Sequence, residues 1–508
     1  MNNKTFRIGA SLCGLALLFF AIFPLTAGEL LPYHFHEHFY NTLEIARGHV
    51  VSNDFSLVWR GLLSVFDNLC GEHIFFTAVY TVLAAGGAAF LFLLFKLLNK
   101  LNLSLTDGER FAVAAFALAF YIKTAASGTD AALAMPAVLF AALALLRALE
   151  KPNILTGVSA GLAVSLMLLT RFDTLGFAIT FALVFYFQFN GKEPVSYKQF
   201  FLLLGGLAVG LLPAAGFWLW EKQTFGTIVP MTVQSWTQTQ GSSPLQMARL
   251  LFFDPVRHIV RQPYAIALLT FPALLIALTA YHSFPWIKRG QTPRDTLFYS
   301  LLWFPVFQIA VLALFSYILV PDYAFYALGI GAPFALAYAI SRISANVRGE
   351  DVALAEKSWL FIGGCMTALC FYFPLRSCNI QYKQAADALK PFVEMHAGTY
   401  GMGKGANIAA FETGGRFVRL DGSASDTNLQ ALLKNQADIK TVLKQYGIDW
   451  YVGINLVKQD SGCYGVREPK QNGFGTNKSM HGWLCQAPVA EISAAPELNL
   501  QIFDVKEK

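Results

Sequence analysis

Charged residues are scarce in this 508-residue chain, and their scarcity excludes a soluble globular enzyme. Asp, Glu, Lys and Arg make up 14% of the residues, whereas soluble domains carry about 25%. Hydrophobic residues make up 55%. Long apolar runs recur up to about residue 376, and the segment that follows contains none. The sequence therefore predicts an α-helical polytopic membrane domain at 1–376 and a small α/β domain at 377–508.

Other absences narrow the function further. The chain shows no Gly-rich phosphate loop and no dinucleotide fingerprint, so neither a sugar nucleotide nor a nucleotide cofactor is expected. The net charge of +6 is modest and follows mostly from loop asymmetry, so nucleic acid is not expected as a partner. Internal repeats and ionisable groups at the membrane midplane are typical of transporters, and the sequence shows no convincing repeat.

Eleven apolar segments are candidates for membrane spans, which need about 20 residues each. They lie at 8–27, 74–96, 110–125, 131–149, 154–170, 174–190, 200–220, 264–282, 296–319, 324–341 and 358–375. Lys4 and Arg7 precede the first span, and later cations collect on the same side, which predicts a cytoplasmic N-terminus. An odd number of spans then places the C-terminal domain in the periplasm of a bacterium, with the bundle in the inner membrane. A cleaved signal ending near Ala27 is the less favoured alternative.

Cysteine positions agree with this topology. Cys463 and Cys485 both lie in the outer domain, where oxidation is permitted, so a disulfide between them is predicted. Cys70 and Cys378 are also external, and the sequence leaves their pairing open.

Ionisable residues collect at the outer ends of the spans, and such residues near bilayer depth mark functional sites. The inner loops are short and basic, so any chemistry is expected on the outer face. The outer candidates are Glu37 and Asp54 in the first external loop (28–73), Asp130, Arg171 and Asp173 in two short turns, and Arg257, His258 and Arg261 at the end of a long loop (221–263).

Several of these segments resemble motifs of the GT-C superfamily of integral-membrane glycosyltransferases. The matching segments are 36–40 with 43–47, 127–130, 169–173 and 225–230. In the outer domain, 414–422 is similar to the Gly-Arg-x-Val-x-Leu-Asp-Gly strand of bacterial members, and 443–452 to the helix-to-strand segment after it. Among those members are relatives of mycobacterial arabinofuranosyltransferases. Where the family usually has two adjacent acids, this chain has Glu37 beside His38.

The resemblance implies transfer of a sugar from a polyprenyl-phosphate donor to a periplasmic glycan, lipid or protein, by inversion or retention. It makes a pentofuranose such as arabinofuranose a candidate sugar. No cofactor is required, and membrane lipid is expected to contact the protein. The alternatives are a ligase for lipid-linked oligosaccharides and a lipid flippase or transporter.

Such a transfer needs a carboxylate to deprotonate the acceptor hydroxyl. Glu37 is expected to be this base, because its place in the first loop matches the family's acidic residue, and a solvated loop carboxylate is the alternative. Asp54 and Asp130 are further acidic candidates. For Asp130 and Asp173, helix capping is the plainer interpretation.

The leaving phosphate needs cations near it. Arg171 is the first candidate, since Asp173 could orient it; an interfacial anchor is the alternative. Arg257, His258 and Arg261 follow, and a surface helix would explain the spacing of the two arginines equally well.

Three histidines alternate at His34, His36 and His38. An extended backbone would place all three on one face, where His36 and His38 could bind a divalent metal with Glu37 or Asp54. Contacts of these histidines to the acceptor, to carboxylates or to water are the favoured interpretation, and metal binding is the alternative. Tyr40 is a further candidate for contact with the acceptor.

Overall fold

The structure is a computed structural model of the whole chain, and it describes most of its residues. The described residues are 3–27, 37–49, 56–101, 103, 105–189, 197–228, 275–276, 279, 292–315, 321–347, 352–375, 380–422, 426–469, 479–495 and 498–506.

The described residues in the first three quarters of the chain are mostly helical. The helices are α1 (Asn3–Ala27), α2 (Glu37–Ala46), α3 (Leu57–Leu69), α4 (Glu72–Lys100), α5 (Asp107–Ala125), α6 (Ala131–Glu150), α7 (Ile154–Thr170), α8 (Leu175–Phe189), α9 (Tyr197–Phe225), α10 (Pro293–Phe315), α11 (Pro321–Val347) and α12 (Val352–Leu375). Helices α1 and α4 to α12 coincide with ten of the eleven predicted apolar segments. The segment at 264–282 lies almost wholly outside the described residues.

Four of the described helices are long and apolar enough to cross a membrane: α1, α4, α6 and α9. Helices α7 and α8 are apolar but shorter. The predicted membrane character is therefore confirmed, and the count of eleven spans stays a prediction. Helix α5 lies at the centre of the bundle, where it contacts α1, α4, α6, α11 and α12. Nearly all its side chains from Phe111 to Ala125 are buried, as expected of a helix that is apolar all round.

Helices α7 and α9 touch backbone to backbone. Gly157 and Gly161 on α7 face Gly206 and Gly210 on α9. A Cβ at Gly161 would lie 2.5 Å from the carbonyl oxygen of Leu207, and one at Gly210 would lie 2.7 Å from the Cα of Gly161. Small residues allow this close approach inside membranes, where packing and hydrogen bonds hold helices together.

The C-terminal region contains a sheet. Its elements are α13 (Ile380–Met395), β1 (Thr399–Met402), α14 (Ala406–Thr413), β2 (Arg416–Arg419), α15 (Thr427–Lys434), α16 (Ile439–Gln445), β3 (Trp450–Ile454), β4 (Tyr464–Glu468), β5 (Met480–Leu484), β6 (Ala490–Ala495) and β7 (Leu498–Asp504). The main sheet has the order β2-β1-β3-β7-β6, with β1 parallel to both neighbours and β7 antiparallel to both of its own.

Strands β4 and β5 form a separate antiparallel pair. A disulfide joins Cys463 to Cys485 just outside this pair, which confirms the predicted bond. Cys70 is a free thiol, and Cys378 lies outside the described residues. Helices α15 and α16 are short and separate, because Asp426 and Asp438 each accept a backbone N–H and so begin a new helix.

The glycine contact between α7 and α9 predicts opposite outcomes at two adjacent positions. A Cβ at Gly206 would collide with the carbonyl oxygen of Ile154, whereas Gly205 has nothing within 4 Å. Gly206→Ala should cost about 1–3 kcal/mol and lower the Tm in detergent. Gly205→Ala should leave the Tm unchanged or raise it slightly, because Ala favours a helix by about 0.5–1 kcal/mol. Equal Tm values for the two variants would contradict this packing.

Candidate functional site

The side chain of Thr174 stabilises the turn after α7. Helix α7 ends at Thr170, Arg171 is extended, and Phe172–Thr174 form one 3-10 turn that leads into α8. The fully buried Thr174 hydroxyl lies 3.1 Å from the carbonyl oxygen of Met167 and 2.6 Å from that of Arg171. Each of these carbonyls also accepts a backbone N–H, from Arg171 and from Thr174 respectively, so the hydroxyl adds a second hydrogen bond to each and reinforces the turn. Phe172 packs edge-on against Trp218 of α9, with ring centroids 5.5 Å apart.

Arg171 is buried between two carboxylates. Its Nη1 lies 2.5 Å from Oδ1 of Asp130, and its Nε lies 2.8 Å from Oδ1 of Asp173. Its guanidinium lies 5.1 Å from the ring centroid of Tyr326 on α11. The Arg171 side chain is 8% exposed, so both ion pairs are largely shielded from water. Asp173 therefore orients Arg171, as the sequence predicted.

Asp130 occupies the N-cap position of α6, but its side chain makes no capping hydrogen bond. The capping interpretation is therefore wrong for Asp130, because its carboxylate binds Arg171 instead. The backbone N–H of Ser56, at the start of α3, also donates to this carboxylate. Gly128 makes the preceding turn with φ of +69°, a conformation that favours glycine.

The second oxygen of Asp173 accepts a hydrogen bond from Nε2 of Gln308 on α10, at 3.1 Å. Gln308 can approach because Gly176 faces it: a Cβ there would lie 2.7 Å from Oε1 of Gln308. The hydroxyl of Tyr326 is buried near Asp173. We call Asp130, Arg171, Asp173, Gln308 and Tyr326 the Arg171 cluster.

The sequence prediction missed two members of the cluster. Gln308 and Tyr326 lie within predicted spans, where each interrupts an apolar run. A polar residue inside such a run is the signal that could have identified them. The cluster contains two carboxylates and one guanidinium, so its described side chains carry an excess of negative charge.

Helix α2 carries the first-loop motif and begins at Glu37. Since the chain is helical from Glu37 onward, the extended alternation expected of the three histidines does not include His38. The described side chains from Phe39 to Ile45 are buried. Tyr40 is fully buried, with its ring centroid 5.3 Å from that of Phe39 and 5.3 Å from that of Phe411 on α14.

Burial, reinforced by the nearby Glu412, raises the pKa of the Tyr40 hydroxyl well above its ordinary value. Tyr40 therefore stays protonated, and its surroundings support a packing role between α2 and the C-terminal region. Tyr40 as a contact for the acceptor stays a prediction.

The C-terminal region is hydrogen-bonded to α2 through the side chain of Asn41. Oδ1 of Asn41 accepts a hydrogen bond from Nδ2 of Asn407, at 2.6 Å, and another from Nη1 of Arg419. Arg419 ends β2, and Asp421 binds it through two hydrogen bonds of 2.6 Å each. Arg419 and Asp421 belong to the predicted strand motif at 414–422, so that motif lies against α2.

An ion pair joins the C-terminal end of α2 to α3. Arg47 donates to both oxygens of Asp67, at 3.0 and 2.8 Å, and its guanidinium lies 5.6 Å from the ring centroid of Phe411. Glu44 is buried and lies within ion-pair distance of Arg47 and His49. Helix α2 is therefore held at its middle through Asn41 and at its C-terminal end by charged side chains.

The remaining sequence candidates are not tested by the structure. His34, His36, Asp54, Arg257, His258 and Arg261 lie outside the described residues, and Glu37 and His38 are described by their backbone alone. Within the described part of the chain, no group of three or more His, Cys, Asp or Glu side chains is placed to bind a metal. The roles proposed for the untested candidate residues stay predictions.

Comparison with solved structures identifies the fold. No protein-family model and no curated protein matches the chain. The arabinofuranosyltransferase AftD from Mycobacteria matches at 15% identity with a TM-score of 0.50, covering 99% of this chain and 40% of that one. A variant of AftD matches at 14% identity with a TM-score of 0.50, covering 99% and 42%.

The oligosaccharyltransferase from Archaeoglobus fulgidus matches at 13% identity with a TM-score of 0.44, covering 86% of this chain and 67% of that one. The likeness to AftD confirms the predicted resemblance in fold to the GT-C glycosyltransferases. The chain spans about two fifths of the AftD structures that it matches.

The burial of Arg171 predicts that its replacement destabilises the protein much more than replacement of Arg342, although both guanidinium groups face a tyrosine ring. Arg171→Ala leaves buried carboxylates without their cation and should destabilise the protein by about 3–5 kcal/mol. The matched control is Arg342→Ala on α11, whose exposed guanidinium lies 5.2 Å from the ring centroid of Tyr338. It should cost less than about 1 kcal/mol. Similar Tm values for the two variants in detergent would show that the Arg171 ion pairs do not stabilise the bundle.

Proposed function

We propose that this protein is a membrane glycosyltransferase that moves a sugar from a polyprenyl-phosphate donor to an acceptor outside the cytoplasmic membrane. The proposal rests on the fold shared with AftD over 99% of this chain. The clustering of ionisable residues at one side of the predicted bundle supports it. No described feature favours the ligase or flippase alternatives.

The proposed topology has eleven spans, a cytoplasmic N-terminus and a periplasmic C-terminal region in a bacterial inner membrane. The ten helices at predicted positions support the count. The bond between Cys463 and Cys485 supports the placement of the C-terminal region, because disulfides form in oxidising compartments such as the periplasm.

In the proposed reaction, an acceptor hydroxyl oxygen bonds to the anomeric carbon as the bond from that carbon to the phosphate oxygen breaks. Glu37 takes the hydroxyl proton, and polyprenyl phosphate leaves with the bonding electrons. Asp130 is the weaker candidate for the base, because its carboxylate is bound by Arg171 and Ser56. Asp54 remains a further acidic candidate.

The leaving phosphate needs positive charge that is not already neutralised. Two carboxylates offset the charge of Arg171, so we expect it mainly to shape the site and to contribute modestly to donor binding. We assign Arg257, His258 and Arg261 the larger share. A pentofuranose is the proposed sugar, and a glycan, lipid or protein is the proposed acceptor.

Glu37→Gln should abolish transfer, because the amide cannot accept the acceptor's proton. General bases contribute about 10²–10⁴-fold to rate, so a loss within that range is expected in a transfer assay on purified protein. The control is Glu491→Gln on the exposed side of β6, which should keep wild-type turnover. Near-normal turnover of Glu37→Gln would exclude Glu37 as the base.

Donor chemistry can be tested with a panel of polyprenyl-phosphate sugars, with a chelator in half of the samples. One donor should raise the Tm and lose its sugar to the acceptor, because the proposed site binds a lipid phosphate. Transfer should persist with the chelator, since no metal is required. Transfer that stops with the chelator and returns with a divalent cation would contradict the metal-free mechanism.

A further inference from the structure

Asn41 lies one helical turn after Glu37. Helix positions four residues apart share a face, so position 41 marks the face of α2 on which position 37 lies. Asn41 is 1% exposed. A residue that fixes Asn41 therefore also fixes the first turn of α2.

Both described partners of the Asn41 side chain come from the C-terminal region. Asn407 begins α14 and Arg419 ends β2, and both donate to the same oxygen of Asn41. Both donors are buried. A buried amide oxygen that loses two donors is left unsatisfied, which is costly, so this contact strongly favours one placement of α2.

Asp421 holds Arg419 in place. Its two carboxylate oxygens accept from Nε and Nη2 of Arg419, which leaves Nη1 directed at Asn41. Such a two-point carboxylate–guanidinium pair fixes both orientation and distance. Asp421 is the acidic residue of the strand motif at 414–422, and its role in this geometry is to orient Arg419 toward Asn41.

Aromatic packing adds a second attachment beside the polar one. Phe411 of α14 lies between Tyr40 and Phe76, with ring centroids 5.3 and 5.8 Å away. The guanidinium of Arg47 covers the same ring. The C-terminal region therefore holds α2 at two points.

We propose that Arg419, Asp421 and Asn407 are positioning residues for the first-loop acid: the C-terminal region holds α2 through Asn41 and thereby sets the place of Glu37. This inference rests on the proposed function, in which Glu37 is the base. It makes the C-terminal region part of the catalytic arrangement.

The expected effect is on turnover. A displacement of about 1 Å in a catalytic group can cost about 10²-fold in rate. Asn41→Leu removes the acceptor oxygen at similar size and should lower kcat about 10–100-fold, while KM for the donor changes less than about threefold. Asp421→Asn weakens the hold on Arg419 and should lower kcat in the same direction by a smaller factor.

Asn41→Asp is the conservative variant, since its carboxylate can still accept from Arg419 and Asn407. It should restore most of the turnover at high pH. It also places a negative charge one turn from Glu37, which raises the pKa of a carboxyl group, so the acidic limb of the pH–rate profile should move to higher pH. The control is Arg467→Lys, an arginine that hydrogen-bonds to Ser479 within the same region and should leave kcat unchanged.

All variants are compared as full-length protein with the Tm and the folded fraction measured. If Asn41→Leu and Asp421→Asn lower the Tm but keep kcat per folded molecule, the contact is only structural and the inference is overturned. If Glu37→Gln keeps normal turnover, the proposed base is wrong and the inference falls with it. If Glu37→Gln is inactive while Asn41→Leu turns over normally, the base stands and only the positioning inference fails.

Discussion

The buried ion pairs of Arg171 join elements that are far apart in the chain. Asp130 begins α6, Arg171 and Asp173 form the turn between α7 and α8, and Gln308 lies on α10. A charge in a membrane protein is costly unless it is paired, so these helix ends have to remain together. Tyr326 adds α11 to the same group through its ring.

The glycine contact between α7 and α9 and the aromatic contact of Phe172 with Trp218 place the Arg171 turn relative to the lipid-facing helices. Ser56, the N-cap residue of α3, donates to Asp130 and to the carbonyl oxygen of Leu169, and so connects this cluster to α3. Helix α2 then continues the path to the C-terminal region through Asn41 and Phe411. A chain of polar and aromatic contacts thus links the bundle to the sheet.

Apolar length predicted the helices, because a run of about 20 apolar residues has few alternatives to a helix in a membrane. The resemblance to the GT-C family predicted β2 and β3, and the positions of the cysteines predicted the Cys463–Cys485 bond. The pairing of Gln308 with Asp173 and of Arg419 with Asn41 was beyond such reasoning, because these partners are 135 and 378 residues apart in the chain. Only the tertiary fold brings such pairs together. The capping interpretation of Asp130 failed for the same reason, since a distant arginine outcompeted a local backbone N–H.

The two sides of α9 are under unlike constraints. One side, at Gly206 and Gly210, has no room for a single extra carbon, whereas the opposite side exposes Phe201, Val209 and Leu212. Over evolutionary time the exposed positions can exchange freely among apolar residues, because lipid tails accommodate any of them. Gly206 and Gly210 cannot be exchanged in this way, because a side chain there would collide with α7. Homologous proteins should therefore show one invariant and one variable stripe along this helix, and this pattern would record helix packing alone.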